Sequence, residues 1–102
     1  MSVIHVTESN FRELLAGDRP LLLDFYADWC GPCRMMAPIV EELAEERSDF
    51  AVGKVNTDHD PALAQAFGIV SIPTLVVLKN GTEVRRFVGV RAKEELVAAL
   101  EG

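Results

Sequence analysis

Apolar positions along this chain switch between two rhythms. Val3 to Val6 is a short β-rich run; Phe11, Leu14 and Leu15 then recur at helical spacing behind Thr7, a residue type that caps helices, with Gly17 at the expected end. Asp18-Arg19-Pro20 predicts a turn into Leu21-Leu22-Leu23-Asp24-Phe25-Tyr26-Ala27, a continuous apolar run of the kind found in strands buried on both faces, and so the central strand. Beyond it Met36, Ile39, Val40, Leu43 and Ala44 repeat with the helical period, while Glu41, Glu42, Glu45, Glu46 and Arg47 form a solvated opposite face. Pro38 interrupts that pattern, removes a helical hydrogen bond and predicts a kink near the cysteines. Met35 and Met36 are expected to fill gaps in the core.

Ala51 to Asn56 reads as a third strand, giving strand-helix-strand-helix-strand with parallel pairing. Asp60 is expected to cap a short helix with Pro61 at its first position, Leu63 and Phe67 inward and Gly68 at its end. Thr74 to Leu78 and Thr82 to Val88 flank Lys79-Asn80-Gly81, and an Asn-Gly pair favours a tight antiparallel hairpin. A last helix carries Leu96, Val97 and Leu100 on one face, with Ala92 at a cap position where it offers no side-chain acceptor. No repeat, low-complexity tract or linker interrupts the chain, so residues 1–102 are expected to form a single domain.

Composition narrows the function. With 102 residues, 49% hydrophobic and 25% charged, the chain has the make-up of one ordinary soluble domain, which buries roughly two-thirds of the surface its unfolded form exposes. That core needs no metal or staple, and the two cysteines are left for chemistry. The net charge of -6 is spread along the sequence, which argues against contact with a phosphate backbone; no nucleic-acid function is expected. No apolar run has the length of a membrane span, and the N-terminus lacks a signal core, so the expectation is a cytoplasmic protein without membrane contact. In a reducing cytosol a Cys-X-X-Cys pair is more often catalytic than structural.

Both cysteines lie in Trp29-Cys30-Gly31-Pro32-Cys33, between the apolar run and the second helical pattern. Helical neighbours at this spacing have Cβ atoms about 5–6 Å apart, whereas a disulfide needs about 3.8 Å, so Cys30 is expected at the helix edge where the backbone can tighten. There, unpaired N–H groups and the helix dipole favour a thiolate, making Cys30 the candidate nucleophile and Cys33 its resolving partner. A structural staple over so short a loop would contribute only about 2 kcal/mol. A zinc site would need His5 and His59, which are not a spaced ligand pair.

Asp24 is the odd residue of the central strand. An edge position would explain it, but Leu22, Leu23 and Phe25 around it predict burial, hence a raised pKa and a candidate acceptor for the Cys33 proton. Taken alone, Lys54 reads as a solvated side chain, Trp29 as a core aromatic and Pro73 as a strand-initial proline.

Several motifs together resemble the thioredoxin family along nearly the whole length: Asp24-Phe25-Tyr26-Ala27-Asp28-Trp29-Cys30-Gly31-Pro32-Cys33-Arg34, the helix Pro38, Ile72-Pro73-Thr74, the Lys79-Asn80-Gly81 hairpin, and Val88-Gly89 before the last helix. The resemblance implies an α/β thioredoxin fold, a five-stranded mixed β-sheet flanked by four α-helices with the dithiol at the start of the second. It implies a general protein disulfide reductase that donates electrons to cytosolic oxidoreductases. Such a protein binds no cofactor; its redox-active disulfide Cys30-Cys33 is recharged by NADPH through a flavoprotein thioredoxin reductase. The implied partners are that reductase and protein disulfides such as those of reductases and peroxidases, met as a monomer. A lowered thiol pKa and a reducing potential are properties for which thioredoxins are the standing example, so they too are implied by the resemblance and not by the spacing.

By the same resemblance Asp24 is similar to the buried acid behind the resolving thiol, and Lys54 to the lysine that approaches it. Pro73 matches a cis-proline facing the dithiol, and Ile72 a residue whose backbone pairs with an extended substrate. Trp29, Gly31, Pro32, Ile72, Pro73 and Gly89 would surround Cys30 with an apolar docking patch. Tyr26, Val70 and Val90 depart from common family residues, and at the docking rim Val70 and Val90 put partner preference in question. Two other readings remain open at this point: a redox-inert binding module or subunit that uses the same patch to clamp a larger enzyme, and a disulfide oxidase or isomerase, which no export signal supports.

Overall fold

A computed structural model describes residues 2–102. The elements follow in the order β1 (Ile4–His5), α1 (Glu8–Ala16), β2 (Leu21–Tyr26), α2 (Gly31–Glu46), β3 (Ala51–Asn56), α3 (Pro61–Ala66), β4 (Thr74–Lys79), β5 (Thr82–Val88) and α4 (Lys93–Glu101). The five strands form one sheet in the order β1-β3-β2-β4-β5, with β2 in the centre. The β1–β3 and β2–β3 pairs are parallel, and the β2–β4 and β4–β5 pairs antiparallel. The architecture is the mixed sheet with four helices that the sequence predicted.

The unbroken apolar run of β2 is explained by its two covered faces. Leu22 packs with Val52, Leu75 and Val77 against Met36, Val40 and Leu43 of α2 and Leu96 and Leu100 of α4. Leu21, Leu23 and Phe25 point the other way, toward Val55, Val76 and Leu63, with Phe11, Leu14 and Leu15 of α1 beside them. Burying a side chain of this kind is worth about 1.5–3 kcal/mol, so this alternation is what fixes the register of the sheet. Asp24 and Tyr26, in step with Leu22, therefore belong to the face that α2 covers. Gly53 of β3 makes room for the N-terminal segment, since a Cβ there would stand 2.5 Å from Val6 Cγ2.

The helix and turn signals hold with some differences. At the predicted hairpin, Asn80 and Gly81 both take positive φ, 53° and 77°, as a two-residue type I′ turn requires. The helix α2 runs from Gly31 to Glu46 with Pro38 inside it. Met36 is buried as expected but Met35 is 62% exposed; the residue preceding Met36 on a helix points about 100° away from it, so only one of the pair can face the sheet. Asp60 stands at the predicted start of α3, yet its carboxylate does not cap that helix: Oδ2 accepts from the Glu8 N–H at the start of α1, at 3.1 Å. Gly17 closes α1 in extended rather than left-handed backbone.

Candidate active site

Cys30 is the N-cap of α2, with extended backbone and with its sulfur accepting from the Cys33 N–H at 3.2 Å. That is the place a capping oxygen takes when it satisfies the third free N–H of a helix. Pro32, inside the first turn, has no N–H to give, so Cys33 supplies the donor. The two cysteines are joined in a disulfide, with Cα atoms 5.2 Å apart, and both are nearly buried, 5% and 3% exposed. The expected placement of Cys30 at the helix edge is thus what the structure has.

The loop before β4 meets the sulfurs from the other side. The Ile72–Pro73 peptide is cis, and the Ile72 carbonyl oxygen lies 3.9 Å from Cys30 Sγ. The Pro73 carbonyl accepts from the Gly89 N–H at 2.8 Å. Gly89 has φ 96°, a conformation that favours glycine. A Cβ at Gly31 would meet no atom within 4 Å, so the space over Gly31 is open. Trp29 is 69% exposed and Val70 96%; the core position open to Trp29 on sequence grounds is not the one it takes. Its indole N–H donates to Asp58 Oδ2 at 2.9 Å, which orients the exposed ring.

Behind the dithiol lies a buried acid. Asp24 is 1% exposed, and neither carboxylate oxygen has a hydrogen-bond partner among the described residues. Burial pushes its pKa up from 3.8 to about 7, against the lowering pull of the Lys54 cation. Lys54 is the register partner of Asp24 on β3, and its ammonium rests 4.4 Å from the centre of the Tyr26 ring. A cleft of about 130 Å³, lined by Tyr26, Ala27, Asp28, Cys33, Arg34, Ala37 and Lys54, joins this lysine to Cys33.

The six patch residues and four predicted catalytic positions thus fall into two groups. Trp29, Gly31, Pro32, Ile72, Pro73 and Gly89 gather around the Cys30–Cys33 disulfide, and Asp24 and Lys54 lie on the face of the sheet below α2. Three roles went unread in the sequence: that of Asp58, which holds Trp29; that of Tyr26, noted there only as a departure from family residues, which seats Lys54; and that of Arg91, whose backbone N–H donates to Met36. Each acts through a contact between segments far apart in the chain, for which spacing carries no signal. Among the described residues no cluster of three or more His, Cys, Asp or Glu side chains could hold a metal.

Set beside known proteins, the chain matches the Thioredoxin family model over residues 2–102. It is 49% identical to the thioredoxin of Alicyclobacillus acidocaldarius subsp. acidocaldarius over 96 residues, covering 93% of this chain and 91% of that one. A bifunctional thioredoxin reductase/thioredoxin of Mycobacterium leprae is 42% identical over 99 residues, covering 95% of this chain and 22% of the larger protein. Among solved structures, a mutant thioredoxin from Halobacterium salinarum superposes with a TM-score of 0.91 at 39% identity, covering 98% of this chain and 88% of that one.

Proposed function

Because this chain belongs to the thioredoxin family and is a protein disulfide reductase, we propose a division of labour in which Cys30 attacks, Cys33 resolves, and Asp24 takes the proton that Cys33 must lose. In the reduced form the helix N-terminus and the Cys33 N–H favour the Cys30 thiolate. The thiolate attacks one sulfur of a protein disulfide; that S–S bond breaks and its second sulfur leaves as a thiolate. Cys33 then passes its proton to Asp24 and attacks Cys30 Sγ, breaking the mixed disulfide and releasing the first sulfur. Two electrons have moved to the substrate, and Cys30 and Cys33 are left bonded.

An acid with a pKa of about 7 is half deprotonated at neutral pH, which suits it to accept a proton and return it in the next cycle. Lys54 tunes it by charge. The substrate lies as an extended segment along Ile72 on the patch of Trp29, Gly31, Pro32, Pro73 and Gly89, apolar and lacking side-chain bulk where another backbone must approach. The electrons come from NADPH through a flavoprotein thioredoxin reductase; a relative that carries reductase and thioredoxin in one chain supports that pairing. We place the reaction in the cytoplasm, where a reducing pool keeps such dithiols reduced, and assign the working form as a monomer. Protein disulfides of reductases and peroxidases are the intended substrates.

The observation that carries this reading is the Cys30 sulfur at the N-cap of α2, bonded to Cys33 and facing the cis Ile72–Pro73 peptide. Turnover of a protein disulfide with NADPH and thioredoxin reductase tests it. Wild type is expected to turn over and the Cys30→Ser/Cys33→Ser variant to be inactive. A variant that still fulfils the cellular role without its thiols would instead make the chain a binding module.

A further inference from the structure

The rim of the docking patch carries a cation that the disulfide chemistry does not use. Arg47, Arg86 and Lys93 are all paired with carboxylates, but Arg91 has no carboxylate partner among the described residues. Its Nη1 donates to the Val90 carbonyl at 3.0 Å and lies 3.6 Å from where a Cβ on Gly89 would be. A guanidinium has five donors, so most remain free. Of the two acids in the first turn of α4, Glu94 and Glu95, the second is engaged with the Ala92 N–H at 3.2 Å.

The position of this cation is set by both halves of the site. The Arg91 N–H donates to the Sδ of Met36 at 3.4 Å, a fully buried residue one turn beyond Cys33 on α2. Two residues earlier, Gly89 donates to the Pro73 carbonyl, and the cis peptide before Pro73 abuts Cys30. The backbone at 89–91 is therefore held to the dithiol helix and to the cis loop at once. On the other side of the patch, by Trp29, the charges are mixed: Asp58 is bound to the indole, and the Arg34 cation donates to the Asp28 carbonyl.

We propose that Arg91 is a specificity-determining residue, which selects protein disulfides carrying a carboxylate close to the reactive cysteine, on the side of the docked segment that passes Gly89. The inference rests on the docking patch assigned above to Trp29, Ile72 and Gly89. An acid on the bound segment meets a fixed, partly desolvated guanidinium there, where a basic residue meets repulsion. The chain as a whole is acidic, net charge -6, so the attraction such a segment meets at Arg91 stands against a repulsive background.

The test uses the full chain, reduced chemically so that no reductase is required, and three families of peptide disulfide with uncharged, Glu or Lys flanks on either side of the reactive cysteine. Wild type is expected to reduce the better of the two Glu peptides about fivefold faster in kcat/KM than its Lys counterpart, the size of a favourable exposed ion pair. The preference should shrink as salt shortens the screening length. Arg91→Gln, which keeps the backbone bond to Met36, is expected to abolish the ratio, Arg91→Glu to invert it and Arg91→Lys to retain part of it. A Glu-to-Lys ratio unchanged in Arg91→Gln, or Arg91→Lys indistinguishable from Arg91→Gln, overturns the proposal. Failure of wild type to reduce even the uncharged peptide would instead overturn the docking and disulfide reading beneath it.

Discussion

Asp24 and Lys54 face each other across the β2–β3 ladder, yet they make no hydrogen bond: the ammonium sits over Tyr26 and the carboxylate is left bare. A direct bond would hold the acid in its charged form and remove its use as a base near neutrality. Seated on the ring, the cation moderates the effect of burial without cancelling it, which is how a carboxyl reaches a pKa of about 7.

Asp24→Asn should therefore separate stability from activity. As the pH rises from 3.8 to about 7, the folded chain keeps a proton that the unfolded chain has released. Folding stability of the wild type falls through that window, by an amount of order 4 kcal/mol. Above the folded pKa the loss is complete and stays level. Denaturant melts across this range should show Asn and wild type alike at the acid end and Asn the more stable at pH 8. In single-turnover kinetics the mixed disulfide should persist longer in Asn while its formation is less affected; release as fast as wild type across neutral pH would remove Asp24 as the base.

Lys54→Met takes away the charge that lowers the Asp24 pKa. The pH midpoint of mixed-disulfide resolution should move upward. Tyr26→Leu should move it too, by less, because the cation stays but loses its seat. A midpoint unmoved in Lys54→Met would mean that resolution does not depend on this acid.

Cys33→Ser should trap covalent adducts through Cys30, since attack survives and resolution does not. On non-reducing gels of a lysate the reverse variant, Cys30→Ser, should trap few. Equal yields of adduct on Cys33 would reverse the assigned roles.

Ala92 has the extended backbone of an N-cap, φ -70° and ψ 149°, and Glu95 already reaches back to its N–H. It is half of a capping box. Ala92→Ser should add the missing acceptor and raise stability by about 1 kcal/mol in denaturant melts; no gain would mean that the Ser hydroxyl does not reach the Glu95 N–H.

Much of this was legible in the sequence because the signals were local and redundant. The run Leu21 to Ala27 named the central strand, Asn80-Gly81 named a hairpin, and Asp24 stood out because a carboxylate among Leu22, Leu23 and Phe25 violates the strand pattern. Met35 was misread because composition does not distinguish two adjacent methionines, whereas a helix must send them in different directions. Asp60 was misread because the N–H groups of α1 and α3 compete for one carboxylate, and which wins depends on how the helices meet. Arg91 was invisible for the same reason: its meaning comes from Met36 and Gly89, and no spacing rule links residues 36 and 91.

The first two elements are held differently from the rest. β1 is two residues long, α1 has no fully buried side chain, and their ties to the body include the Val6 N–H to Lys54, the Glu8 N–H to Asp60 and the partly buried ring of Phe11 against Phe67. Apart from Val6 its own side chains are not fully buried, and its opening uncovers only the one face of the sheet that holds Leu21, Leu23 and Phe25, so it should be a unit of local unfolding at a cost below the global one. Amides of 4–16 should exchange with deuterium through such openings, while those of β2, α2 and β4 exchange only with global unfolding. A chain built this way can loosen its N-terminal end, or present it to a tether or a protease, while the dithiol keeps its geometry and goes on working.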